Sequence, residues 1–114
     1  MYLLFDDRGQ VFRLDGISNT VEQNSTMNEA RKDYCCDISP CRAYIYVFGG
    51  LSIHESTCLR TVERYTIEQN IWETVASLSC PLINSVAVTM PNGIYLLGGQ
   101  RIAHNVSSQT STNI

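Results

Sequence analysis

The sequence predicts an all-β fold assembled from four-stranded antiparallel sheets. Three observations carry the prediction. The apolar run Ala43-Tyr-Ile-Tyr-Val-Phe48 ends in Gly49-Gly50, and 49 residues later Ile94-Tyr-Leu-Leu97 ends in Gly98-Gly99. The apolar segments are short and bounded by turn-forming residues, as strands are. No segment sustains the 3.6-residue apolar period of an amphipathic helix.

Each element follows from local composition. Tyr2-Leu-Leu-Phe5 and Gln10-Val-Phe-Arg-Leu14 read as a hairpin, with Asp6-Asp7-Arg8-Gly9 as its turn. Asp15-Gly16 and Ser18-Asn19 turn the chain into Thr20-Val-Glu-Gln23, a half-exposed edge strand. Residues 24–33 are polar and read as a loop with at most a brief helical turn. Tyr34-Cys-Cys-Asp-Ile38 is the next strand, and Ser39-Pro40-Cys41-Arg42 turns the chain into Ala43–Phe48. That run is apolar without alternation, so both of its faces are expected to be covered. Thr61-Val-Glu-Arg-Tyr-Thr-Ile67 alternates with period two, Glu68-Gln69-Asn70 is a tight turn, and Ile71-Trp-Glu-Thr-Val75 is the fourth strand. Asn84–Met90 and Ile94–Leu97 form a second hairpin, with Asn92-Gly93 expected at its centre. Residues 100–114 are rich in Ser, Thr and Asn and are expected to fray.

Composition narrows the function classes. Hydrophobic content of 44% and charged content of 17% fit an ordered chain with a core. A net charge of −3 and scattered basic residues argue against nucleic acid. Met1-Tyr-Leu-Leu-Phe5 runs straight into Asp6-Asp7, unlike a secretory leader, and no apolar run approaches membrane-span length. A cytoplasmic protein off the membrane is expected. The five cysteines then read as reduced thiols, and Cys36 with Cys41 finds no second pair at zinc-site spacing. Asn24-Ser-Thr26 and Asn105-Val-Ser107 match the glycosylation acceptor pattern, here taken as chance matches.

The repeat sets the architecture. Ile45-Tyr46 returns as Ile94-Tyr95 at an offset of 49. Val11-Phe-Arg13 returns as Val62-Glu-Arg64, and Thr20-Val-Glu22 as Ile71-Trp-Glu73, both at an offset of 51. A four-stranded unit of about 50 residues is the size of a propeller blade. One small sheet cannot bury both faces alone, whereas blades stacked about an axis cover each other's faces.

Gly49-Gly50, Tyr65 and, after six intervening residues, Trp72 resemble the kelch repeat, in which a hydrophobic strand ends in a glycine pair and a tyrosine and a tryptophan mark the third and fourth strands. The resemblance implies about two four-stranded antiparallel kelch-type blades of an incomplete ring. Residues 1–33 are then a degenerate partial blade, with Leu14 and Val21 where tyrosine and tryptophan would stand and Phe5-Asp6 in place of the glycine pair. Residues 34–82 are one repeat, 83–99 the first half of another, and 100–114 a polar tail. Gly49, Gly50, Gly98 and Gly99 are expected to allow backbone that other residues avoid, and Tyr65 and Trp72 to fill the gap between blades. A ring of four to eight blades requires further blades in cis or in trans. A fragment of a longer propeller is favoured over a self-assembling unit or a degenerate gene product.

Function follows from the same resemblance. Kelch propellers mostly bind proteins through loops at the ends of the ring, so a protein partner, no cofactor and no catalysis are expected. The implied contact loops are 51–60, 79–82 and 100–104, with Ser52, His54, Glu55, Arg60, Arg101 and His104 as candidate contacts. The resemblance also leaves open a substrate-recognition role in a ubiquitin-ligase adaptor. A copper oxidase or sugar epimerase is disfavoured, because two histidines in separate loops and one adjacent carboxylate pair give no convergent site.

Overall fold

A computed structural model describes residues 2–5, 9–100 and 111–113. The strands in chain order are β1 (Tyr2–Phe5), β2 (Val11–Asp15), β3 (Thr20–Gln23), β4 (Arg31–Lys32), β5 (Cys35–Ile38) and β6 (Tyr44–Phe48). They continue with β7 (Leu51–Ser52), β8 (Thr61–Thr66), β9 (Ile71–Ser77), β10 (Ile83–Met90), β11 (Gly93–Gln100) and β12 (Ser111–Asn113). No helix occurs among the described residues, including the 24–33 loop.

The central sheet is a complete antiparallel blade in the order β5-β6-β8-β9. Before it stands the meander β1-β2-β3, and after it the sheet β10-β11-β12. Strand for strand, the repeat makes β1-β2-β3 the counterpart of β6-β8-β9, and β10-β11 the counterpart of β5-β6. Backbone conformation repeats with it. Asn19 and Asn70 lie at φ 57° and 56°, and Asp33 and Asn84 both at 55°. Asn and Asp tolerate this left-handed region better than other side chains bearing a Cβ. The described sheets do not close a ring.

Two apolar clusters fill the two junctions between sheets. Val11, Met27, Val47, Tyr65 and Trp72, joined by Leu3, Phe5 and Ile45, pack β1-β2-β3 against the central blade. Cys35, Phe48, Val62, Leu78, Leu82, Ile94 and Leu96, joined by Tyr46, pack the central blade against β10-β11. Successive side chains of a strand point to opposite faces. Ile45 and Val47 therefore serve the first junction, and Tyr46 and Phe48 the second. The unbroken apolar run of β6 is explained by cover on both sides.

Three features differ from the sequence expectation. In the second hairpin Met90 pairs with Gly93, so Pro91 and Asn92 occupy the centre of the turn and Gly93 opens the returning strand. β11 runs through its glycine pair to Gln100, because β10 extends back to Ile83 and Ser85↔Gly98 and Ile83↔Gln100 continue the ladder. Within the tail expected to fray, Ser111–Asn113 pairs with Tyr95–Leu97 of β11 as a third strand. The physical reason is the unpaired edge that β11 otherwise offers. Residues 101–110 and 114 lie outside the described residues.

Candidate partner-binding surface

The glycine pair anchors one end of the central blade. Gly49 and Gly50 lie at φ 60° and 93°. A Cβ at Gly49 would lie 2.6 Å from the Leu82 carbonyl oxygen, and one at Gly50 2.6 Å from that of Lys32. The Gly50 N–H donates to the Leu82 carbonyl at 2.8 Å, and the Gly50 carbonyl accepts from Leu59 N–H at 2.8 Å. Both connections that leave this end, 53–60 and 78–82, are thus tied to the glycines. A further bond from Leu78 N–H to the Arg60 carbonyl, 2.6 Å, joins the two connections to each other.

Tyr65 and Trp72 fill the first junction. Their ring centroids are 5.0 Å apart, and Phe5 approaches Trp72 edge-on at 5.8 Å. Their polar atoms are used as well. Trp72 Nε1 donates to the Ser25 carbonyl at 3.1 Å, and Tyr65 OH donates to Asn70 Oδ1 at 2.8 Å. Asn24 Nδ2 donates to Tyr65 OH at 3.1 Å, so the amide of the glycosylation-like triplet is engaged at the junction. Desolvation raises the Tyr65 phenol above its ordinary value, the Asn24 bond partly opposing it.

The candidate contacts divide by burial. His54, Glu55 and Arg60 are exposed on the second-to-third-strand connection. Ser52 is 1% exposed, which corrects its assignment as a contact. Its hydroxyl donates to Glu29 Oε2 at 3.3 Å and accepts from Glu55 N–H at 3.3 Å, holding the loop's base. Backbone bonds from Ser52 N–H to Thr57 O and from Ser56 N–H to Ser52 O close the loop into a compact turn. The exposed crest therefore runs from Ile53 to Thr57. In the fourth-to-first connection Leu78 and Leu82 are buried, and Ser79 is its exposed residue. Arg101 and His104 lie outside the described residues.

The loop 24–33 holds a network that the sequence did not disclose. Arg31 is fully buried and pairs with Glu63, itself 1% exposed, at 2.6 Å. The guanidinium also donates to the Gly49 carbonyl at 2.8 Å, the Thr61 carbonyl at 3.1 Å and Thr61 Oγ1 at 3.2 Å. Glu63 accepts from the N–H groups of Asn28 and Glu29 at 2.8 and 3.0 Å. A buried pair needs this many bonds to offset the loss of water around two charges. In the sequence Glu63 is one of two adjacent charges in an alternating strand, and neither it nor Arg31 stands out.

No described group of three or more His, Cys, Asp or Glu side chains is placed to hold a metal ion. No helix among the described residues is long and apolar enough to cross a membrane. A groove of about 310 Å³ opens between Leu3 and Phe5 on one side and Cys36, Asp37, Ile38 and Ile45 on the other. Desolvation, with Cys35 and Asp37 adding to it, pushes the exposed Cys36 thiol at its rim up to about 11, so it is no ready nucleophile. What the described surface offers is an exposed polar crest on a rigid base.

The family model described as "Kelch motif" matches residues 42–79. The chain is 40% identical over 57 residues to the human protein "Kelch repeat and BTB domain-containing protein 2", a match covering 50% of this chain and 9% of that protein. The same-named protein of Pongo abelii is 39% identical over 57 residues, with the same coverage. The match therefore spans less than a tenth of the length of these curated relatives.

Proposed function

Residues 42–79 being a kelch motif in a partial kelch-repeat chain, we propose that the chain acts as a protein-interaction module. Kelch repeats generally serve as non-enzymatic binding modules, and the reading extends that role to this chain. The partner is a protein, engaged through the crest that carries His54 and Glu55 and through the neighbouring Arg60 and Ser79; Arg101 and His104, outside the described residues, are candidates on the sequence resemblance alone. The observation that carries the proposal is the construction of the crest. Ser52, Gly50 and Leu59 hold its base by internal hydrogen bonds, while polar side chains above it face solvent. Such a loop presents polar groups without a large ordering cost on binding. A cytoplasmic location fits the five free cysteines.

A second reading has one specific observation in its favour. The curated relatives are named for both kelch repeats and a BTB domain. Substrate recognition in a ubiquitin-ligase adaptor would use the same crest. The test is cross-linking mass spectrometry in cells on the parent chain and on a triple His54→Ala, Glu55→Ala, Arg60→Ala variant. Partners lost from the variant support the crest, and ubiquitin-ligase components among them favour the adaptor. An unchanged partner set would refute the assignment.

A further inference from the structure

Two sheet faces at opposite ends of the stack are uncovered among the described residues. On β10-β11, Val86 and Leu97 are cross-strand partners, 58% and 42% exposed, with Val88 beside them at 36%. On β2-β3, Leu14 pairs with Val21, which is 63% exposed, and Phe12 lies on the same side of β2.

The chain itself shows what such faces pack against. Val86↔Leu97 repeats the central pair Cys35↔Phe48, and Leu14↔Val21 repeats Tyr65↔Trp72. Inside the chain the Cys35/Phe48 face is covered by the sheet that follows it. The Tyr65/Trp72 face is covered by the sheet that precedes it. One exposed face thus awaits a following sheet and the other a preceding one. They are the two sides of a single kind of junction, carried at opposite ends of one molecule.

We propose that the Val86/Leu97 face of one copy docks on the Leu14/Val21 face of a second copy, extending the blade stack head to tail. The contact is heterologous: it leaves a free face at each end of the pair and permits further copies to join. No buried charge opposes it, since the paired positions at its centre are Val, Leu, Leu and Val. The polar crest of residues 53–57 does not belong to either face, so self-docking and partner binding are separable.

The experiment is sedimentation equilibrium on the 114-residue chain across the micromolar range, with Val86→Asp, Val21→Asp and their equimolar mixture. The parent chain is expected to gain mass with concentration. Either variant alone is expected to be monomeric, because each spoils one side of every contact. The mixture is expected to form a 1:1 pair and nothing larger, because one sound face of each kind remains. A parent chain that stays monomeric, variants that associate like the parent, or a mixture that stays monomeric would overturn the proposal. Native Trp72 emission reports that each variant is folded. If a variant lost that emission, Val86→Thr and Val21→Thr would take its place, with weakened self-association expected and unaltered association counting against the proposal.

Discussion

Arg31→Met is expected to be among the most damaging single substitutions in the chain. The side chain removed is fully buried and bonds to Gly49, Thr61 and Glu63. Its loss leaves the Glu63 carboxylate, 1% exposed, with two backbone donors and no countercharge. Stranding one partner of a buried pair costs about 3–5 kcal/mol. Against a total stability of about 5–15 kcal/mol for a native domain, that is about a fifth or more of what holds the fold. Glu63→Gln keeps the shape and removes the charge, leaving one carbonyl oxygen to accept from either Asn28 or Glu29. The double variant is therefore expected to cost less than the sum of the two singles, by about 0.5–3 kcal/mol. Guanidinium denaturation followed by Trp72 fluorescence measures all four corners of the cycle. A loss below about 1 kcal/mol for Arg31→Met, or strict additivity in the double variant, would refute the account of Arg31 as a buried tie.

Three further outcomes are expected. Trp72→Ala should cost about 3–5 kcal/mol in guanidinium denaturation followed by far-ultraviolet circular dichroism, because the indole packs on Tyr65 and Phe5 and bonds to Ser25; a loss well under 1 kcal/mol would remove it from the junction. Gly98→Ala should cost only the left-handed backbone strain of about 1–2 kcal/mol, since a Cβ there meets nothing within 4 Å. Gly49→Ala carries similar strain at φ 60° and also drives a Cβ to 2.6 Å from the Leu82 carbonyl, so equal melting temperatures for the two variants would contradict the packing. Cys41, whose thiol is lowered by a bond with Ser39, should alkylate before Cys36, which is exposed but pushed up to about 11 by desolvation, with Cys35 and Asp37 adding to it; equal alkylation rates at pH 9, read by mass spectrometry, would contradict this.

The strands were legible because their cause is local. An apolar run covered on both faces, a period-two segment and a proline-led turn each leave a mark on adjacent residues. The junction aromatics were legible for a second reason: the repeat put Tyr65 and Trp72 in register with Leu14 and Val21, although Phe5 as their edge-on neighbour was not foreseen. Arg31 was illegible because its partner is 32 residues away and its strand is two residues long, too short for any periodicity. Ser52 was misread for the opposite reason. A polar residue in a polar loop reads as exposed unless the groups that satisfy it are known, and here they are Glu29 and the Glu55 N–H. The His54–Glu55 crest was legible only as a loop; what keeps it rigid comes from the backbone of Gly50 and Ser52.

The connection 24–31 has a geometric consequence. Along its length Asn24 bonds to Tyr65, Ser25 to Asn70, Asn28 and Glu29 to Glu63, and Arg31 to Gly49 and Thr61. The segment that leaves the first sheet is thereby bonded to β8, to the turn after it and to the glycine pair of the central blade. Apolar contact is non-directional and does not fix an orientation by itself. These directional bonds therefore set how the first sheet lies on the central blade.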